Sequence, residues 1–291
     1  MGRITDTIKH LLIINGIFFL AVNLLGDEVY NWFALHYFQN PRFEFWQPLT
    51  HMFMHGSFNH ILFNMFGLYM FGSPLESLWG RKKFIFFYLS AGFGAAAVQL
   101  LVYHFQFSSV YQELMSSGYG QDAINMLLND GKYDTTILSS ISEEQISSFY
   151  QSYYASMVGA SGALYGVLVA FAMLFPNAEL YLMFIPVPVK AKYMIPFMIL
   201  GDLFFGFSSF SMGPIAHFAH LGGAITGFGA GSGGAIIIDD PLKPDDALSD
   251  VRRSFINNRY NTTMRSRVND RDVPIIVIMQ RLHEEDLIYN D

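Results

Sequence analysis

Two short runs in this chain could carry nucleophilic chemistry. Gly159-Ala160-Ser161-Gly162, followed by Tyr165 and Gly166, leaves one serine hydroxyl among residues of little bulk. A serine at the start of an apolar helix lies beside backbone N–H groups without intrahelical partners, and these can stabilise a developing oxyanion. Ala219-His220-Leu221-Gly222-Gly223, continuing to Gly227, supplies a histidine above a glycine strip. Positions 220, 223 and 227 are spaced i, i+3, i+7 and share one helix face. That strip would admit a neighbouring helix closely enough for an imidazole to reach a serine oxygen, at about 2.6–3.2 Å for general-base catalysis. Small residues also serve helix packing in membranes, and a membrane histidine can simply donate to a carbonyl across helices. Each run therefore has a packing reading beside the chemical one.

A third run, His51-x-x-x-His55-x-x-x-x-His60-x-x-x-Asn64, stacks His60 and Asn64 four apart on one face. Both can donate hydrogen bonds, as an oxyanion hole requires. Stacked histidines also suit a metal, but the H-E-x-x-H pattern of zinc proteases is missing and no carboxylate lies close by. His51 and His55 read as hydrogen-bonding residues that orient the preceding loop. Two acids fall in or beside apolar segments. Asp202 reads as a protonated or internally bonded packing residue or as a third triad member, the former preferred. Glu76 reads as an ion pair with Arg81. The absence of cysteine excludes disulfides, thiolate metal sites and a cysteine nucleophile.

The elements that would hold these residues are apolar spans. Of 291 residues, 52% are hydrophobic and only 14% are charged, with a mean hydropathy of +0.29. A soluble domain averages about 25% charged residues. A bilayer-crossing helix needs about 20 mostly apolar residues, and residues 10–26, 51–72, 84–107, 155–175, 193–210 and 215–238 are six candidates. Arg3 and Lys9, Arg81 to Lys83, Lys190 and Lys192, and eight Lys or Arg after residue 238 fall on one side of this arrangement. Only Arg42 and Lys132 fall on the other. By the positive-inside rule both termini are cytoplasmic. The net charge of −7 without a basic stripe argues against nucleic acid as a partner.

Between spans, Trp32 and Trp46 mark an interfacial segment over residues 27–50. Residues 108–152 form an outside loop with six acids and one lysine, long enough to hold short helices of its own. The expected organisation is a membrane domain over residues 1–238, with that loop as an insertion, and a polar, loosely ordered cytoplasmic tail over residues 239–291. Within the tail, residues 273–279 read as a strand or docking segment. No internal repeat supports the inverted-repeat architecture of secondary transporters.

In combination the three runs are specific. Trp46 to Asn64, Gly159 to Gly166 and Ala219 to Gly227 fall in order on spans two, four and six. Over about residues 10–238, the acidic loop excluded, the chain resembles the rhomboid family of intramembrane serine proteases. That resemblance implies an all-α, six-transmembrane-helix bundle. It further implies Ser161 as nucleophile and His220 as general base, a dyad without an acidic third member. His60, Asn64 and the Ser161 backbone N–H would form the oxyanion hole, and Tyr165 would pack on the His220 ring. Gly159 and Gly162 match the family's G-x-S-G pattern. Phe204 to Pro214, including Phe205 and Phe207, corresponds to a mobile cap through which substrate enters. His217 is a rival base, but it lacks the downstream glycine spacing.

The implied function is endoproteolysis of transmembrane or membrane-proximal segments of other membrane proteins, in a bilayer such as the bacterial inner membrane, without metal or cofactor. Two other readings are a non-catalytic rhomboid-like binding or trafficking factor and a histidine-lined metal transporter. The chain departs from a minimal family core in its long outside loop and in the small-residue run Gly229 to Gly234, which weakens the sixth span.

Overall fold

The computed structural model describes residues 4–181, 187–207, 216–231, 236–239 and 275–278. It is mostly helical. In chain order, α1 (Asp6–Leu25) and α2 (Asp27–Phe33) lead to β1 (Leu35–His36) and the short α3 (Gln47–Thr50). Then α4 (Phe58–Gly67), a π-helical turn over Leu68–Gly72 and α5 (Ser73–Trp79) form one helical run. After α6 (Arg81–Ser116) come α7 (Gln121–Asp130), α8 (Glu143–Tyr154) and β2 (Ser156–Met157). The remaining elements are α9 (Ser161–Leu174), β3 (Glu179–Tyr181), β4 (Pro188–Lys190), α10 (Ala191–Phe207), α11 (His217–Gly231), β5 (Ile236–Asp239) and β6 (Ile275–Ile278). Met1–Phe228 and Gly229–Asp291 form two compact units.

The first unit is organised around α9. Its residues Gly162 to Leu164 and Gly166 to Ala172 are all buried, and a helix that is apolar all round belongs inside. Leu164, Val167, Leu168 and Phe171 share one core with Ile8 of α1, Leu68 and Leu75 of the α4–α5 run, Phe84 and Tyr88 of α6, and Ile195 of α10. Many other apolar side chains point away from protein. Leu24, Phe86, Phe105, Phe197 and Ile225 are each more than 60% exposed in the isolated chain, the surface a hydrocarbon solvent would cover.

Two helices, α1 and α6, are long and apolar enough to cross a bilayer. Elsewhere the segments differ from the spans expected of them. Residues 51–57 form a turn of 3₁₀ helix and a loop, so the second helical run starts at Phe58 and continues past Gly72 to Trp79. The helix of α9 has 14 residues, about 21 Å at 1.5 Å per residue, shorter than the roughly 30 Å hydrocarbon core. Its ends meet protein, so its length need not match the bilayer. In the last segment α11 stops at Gly231, and Ile236–Asp239 is a strand instead of the end of a sixth span. Clustered glycines each cost a helix about 1 kcal/mol relative to Ala, and the β-branched isoleucines that follow favour a strand. Within the second unit this strand pairs in parallel with β6, Ile236 opposite Ile275, so the apolar segment expected at residues 273–279 contains a strand. The rest of the expected tail lies outside the described residues.

The segment over residues 108–152 packs into a core of its own. With 36 residues, α6 extends about 54 Å, well beyond the hydrocarbon thickness, and its far end becomes a spine. Phe107, Val110 and Leu114 on that end pack with Tyr37, with Ile124, Leu127 and Leu128 of α7, and with Ile146 and Phe149 of α8. A capping box closes the start of α8, Ser142 and Gln145 each accepting from the other's backbone N–H. Burial in this cluster pushes the Tyr37 hydroxyl up to about 12, so it stays protonated beside His104 Nδ1 at 2.9 Å.

Glu76 does not form the expected ion pair with Arg81. Its carboxylate accepts from the Thr5 hydroxyl and from the backbone N–H groups of Thr7 and Ile8 at 3.0 and 3.2 Å. The N-terminus of α1 presents unpaired donors and a partial positive charge, and that site outcompetes an exposed arginine. Trp46 Nε1 donates to the Trp32 carbonyl at 2.9 Å, joining the two aromatic anchors of the first outside segment.

Candidate active site

The site forms where the N-terminus of α9 meets α4, α10 and α11. Two backbone ties and one side-chain contact fix the segment ahead of Ser161. Antiparallel pairing joins β2 to β1, with Met157 opposite Leu35. The Gly159 N–H donates to the His51 carbonyl at 2.9 Å, and His51 Nδ1 is held 3.0 Å from the Gln47 carbonyl. Gln47 is itself fully buried, its amide donating to the Arg42 carbonyl at 2.8 Å while its Oε1 accepts from the His36 backbone N–H. His51 thus orients the loop as expected. His55 is buried and stands edge-on to the His60 ring, with centroids 4.9 Å apart.

Gly159 has φ +128°, a conformation that side-chain-bearing residues rarely adopt. A Cβ there would lie 2.7 Å from His60 Nε2 and 3.5 Å from Ser161 Oγ. The His60 ring therefore covers the glycine immediately before the serine loop enters α9. Ser161 is the first residue of α9, so its backbone N–H is among those left without intrahelical acceptors. Asn64 is buried one turn after His60, and one of its amide N–H groups donates to the His60 carbonyl at 2.8 Å. Ser57 caps α4 by accepting from the His60 backbone N–H at 3.2 Å.

The α9–α11 contact depends on the absence of side chains. A Cβ at Gly223 would collide with the Gly162 carbonyl, and one at Gly227 would fall 2.7 Å from the Gly166 carbonyl. On the other side of α9, Gly162 and Gly166 rest against the Cβ atoms of Ala95 and Ala91 of α6. This backbone-to-backbone approach carries His220 to the serine. His220 Nε2 lies 2.8 Å from Ser161 Oγ. The Tyr165 ring, one turn after Ser161, lies parallel to the imidazole, with centroids 4.2 Å apart and an interplanar angle of 8°. An imidazole at hydrogen-bond distance from a serine oxygen can accept its proton as that oxygen attacks a carbonyl.

Behind the imidazole stands an acid. The resemblance implies a pair without an acidic third member, and packing is the preferred reading of Asp202. In the fold, Asp202 on α10 is buried, and its Oδ1 lies 3.1 Å from His220 Nδ1. The same oxygen lies 2.5 Å from His217 Nδ1, and Oδ2 accepts from the Tyr165 hydroxyl. The sequence offers Asp202 as a packing residue or a third triad member but does not show its partners, because the carboxylate and the imidazoles occupy different helices. The available signal was an uncompensated acid in an apolar span together with His217 and His220 at i, i+3, one helix face. The rival base His217 makes its contact with Asp202, while Ser161 is contacted by His220.

Among the described residues, the group of three or more side chains able to share a metal ion is Asp202, His217 and His220, not the histidines of residues 51–60. Of the cap residues, Phe204 and Phe207 are exposed, and the Phe205 ring stacks near His217 at 5.8 Å. Pro214 and the rest of the segment after Phe207 lie outside the described residues.

A family model described as Rhomboid domain matches residues 42–110 and 133–234, more than half of the chain. The stretch it passes over runs from the outer end of α6 through α7, within the loop that exceeds a minimal core. The match contains the serine loop, the histidine strip on α11 and the His60–Asn64 turn, and with the apolar helices it marks an integral membrane protein. By this match, and with Ser161, His220 and Tyr165 meeting at the start of α9, the chain belongs to the rhomboid family of intramembrane serine proteases.

Proposed function

We propose that this protein is an active intramembrane serine endopeptidase that cleaves transmembrane or membrane-proximal segments of other membrane proteins. The observation that carries the reading is the 2.8 Å contact between His220 Nε2 and Ser161 Oγ, with the imidazole braced by the parallel Tyr165 ring. Ser161 Oγ attacks the scissile carbonyl while His220 Nε2 takes its proton. The oxyanion forms beside the Ser161 backbone N–H, His60 Nε2 and the remaining amide hydrogen of Asn64. His220 then protonates the leaving amine, and water hydrolyses the acyl-enzyme by the same proton route.

The proposed topology has six crossings with both termini cytoplasmic, in a bilayer such as the bacterial inner membrane. Residues 108–152 are an outside insertion and residues 239–291 a cytoplasmic appendage. Water reaches Ser161 from the outer side, and substrate passes the helix end at Phe204 to Phe207 and the segment up to Pro214. Helical carbonyls are already hydrogen-bonded, so substrates with helix-breaking or small residues near the cleaved bond unwind most readily. The reaction as drawn needs no metal or cofactor.

Labelling with a fluorophosphonate tests the reading. Wild type is expected to label, and Ser161→Ala and His220→Ala to lose labelling by at least about 10³-fold, the scale of losing one member of such a constellation. Labelling that persists in both variants contradicts the protease reading, and a protein that binds membrane proteins without labelling supports the non-catalytic one. Full proteolysis after chelation argues against a metal-dependent function.

A further inference from the structure

The carboxylate behind His220 has an unusual set of partners. Asp202 is 7% exposed and sits on α10 in an otherwise apolar stretch. An ionisable side chain at such depth is costly unless its charge is met by hydrogen bonds or a counter-charge. Three donors surround this one. The Tyr165 hydroxyl donates to Oδ2, and the Nδ1 atoms of His217 and His220 lie 2.5 and 3.1 Å from Oδ1. An ionised carboxylate offers about four acceptor positions and no donor, so with Asp202 ionised each imidazole facing Oδ1 carries its proton on Nδ1. For His220 this leaves Nε2 as the acceptor, aimed at Ser161 Oγ at 2.8 Å. The Tyr165 side chain acts twice, stacking on the His220 ring while its hydroxyl anchors the carboxylate. The groups in contact with His220 are thus Ser161 and Tyr165 from α9 and Asp202 from α10, while His217 meets the same carboxylate and His60 lies against Gly159 in the serine loop.

We infer that Asp202 is a positioning residue for the proposed proteolysis, holding His220 as the Nδ1–H tautomer through a carboxylate that it shares with His217 and Tyr165. The inference rests on the protease reading for its kinetic consequence, but its tautomeric consequence is independent of it. An amide in place of the carboxylate has a single acceptor oxygen, and where that oxygen keeps the Tyr165 hydroxyl its NH₂ faces His220 and needs Nδ1 as an acceptor. The imidazole would answer by moving its proton to Nε2, toward Ser161, where it cannot serve as a base. In a serine protease triad that replacement costs about 10⁴-fold in kcat with little change of geometry.

The test uses the full-length protein in lipid and a fluorophosphonate probe. Asp202→Asn is expected to lower the maximal labelling rate by about 10²–10⁴-fold while leaving the probe concentration for half-maximal rate unchanged. Asp202→Glu, which restores an acceptor, is expected to recover at least about tenfold of that loss. Nitrogen-15 spectra of labelled histidine, with the His220 signal assigned by its disappearance in His220→Ala, are expected to show Nδ1–H in wild type and Nε2–H in Asp202→Asn. A labelling rate for Asp202→Asn within about threefold of wild type overturns the inference. So does a wild-type His220 protonated on Nε2, a readout that does not depend on the folding of Asp202→Asn. Chelation of wild type that reproduces the Asp202→Asn loss also overturns it, because the three side chains would then be serving a divalent cation. Absence of wild-type labelling beside an Nδ1–H His220 would instead refute the protease reading and leave the positioning intact.

Discussion

His217 and His220 are three residues apart, of the same type, and both contact Asp202, yet their second contacts separate them. His220 presents Nε2 to Ser161 and its face to Tyr165, whereas the His217 ring lies beside Phe205. His217→Ala is therefore expected to lower fluorophosphonate labelling by only about 3- to 30-fold, through a less firmly held carboxylate, against at least about 10³-fold for His220→Ala. Equal losses would mean that the two imidazoles share the proton-accepting role. At this scale the sequence exposes what is local. Ser161 and its glycines, and His220 with Gly223 and Gly227, are each read within a window of nine residues or fewer. Asp202 is not legible in the same way. Its partners come from two other helices, and a lone acid in an apolar run has the same appearance whether it packs, titrates or orients a base. Glu76 shows the same limit, since the donors that claimed it belong to α1, about seventy residues earlier.

Elements succeed or fail here according to what covers them. The central α9 carries no polar face, and its glycines face α6 and α11 at backbone distance. The serine–imidazole contact is thus a property of helix separation as much as of the two side chains. Gly223→Val puts a branched side chain against the Gly162 carbonyl, and overpacking of this kind typically costs about 1–3 kcal/mol. The expected result is a lower Tm and at least about a tenfold loss of labelling. Gly16→Ala, in α1 with open space at the new methyl, is the matched control and should leave labelling unchanged. If Gly223→Val labels like wild type, the glycine strip is dispensable for positioning. Apolar length was a good guide to the two helices facing lipid on much of their surface, α1 and α6. It set the ends of other segments less well: the second run starts at Phe58, α9 is enclosed by protein and shorter than a span, and the glycines closing α11 give way to a strand. The helices over residues 108–152 were foreseeable from the length of that segment, but their packing on the prolonged end of α6 was not, since Phe107 reads as the end of a span and Val110 and Leu114 as the start of a loop.

On the scale of the whole molecule, the placement of charge and the placement of the site bear on each other. Orientation follows lysine and arginine, with acids contributing little, so the acidic loop is a passenger and the basic residues at 81–83 and 190–192 decide. Ser161 is at the N-terminal end of α9, directly after β2 and the helical insertion, while the opposite end of α9 leads to the β3–β4 hairpin and Lys190. On the proposed topology the serine loop shares its side of the membrane with the insertion, and in the proposed reaction the compartment that receives Lys132 supplies the hydrolytic water. The cysteine-free chain makes this directly measurable. Lys132→Cys and Lys82→Cys each place a single thiol at an exposed position outside the proposed reaction site. In intact cells a membrane-impermeant maleimide is expected to label Lys132→Cys and to reach Lys82→Cys only after permeabilisation. The reverse pattern would put the bond-breaking chemistry on the cytoplasmic side. Substrates would then have to expose their unwound segment inward, and the basic clusters would have failed as topological determinants even though the site geometry stood unchanged.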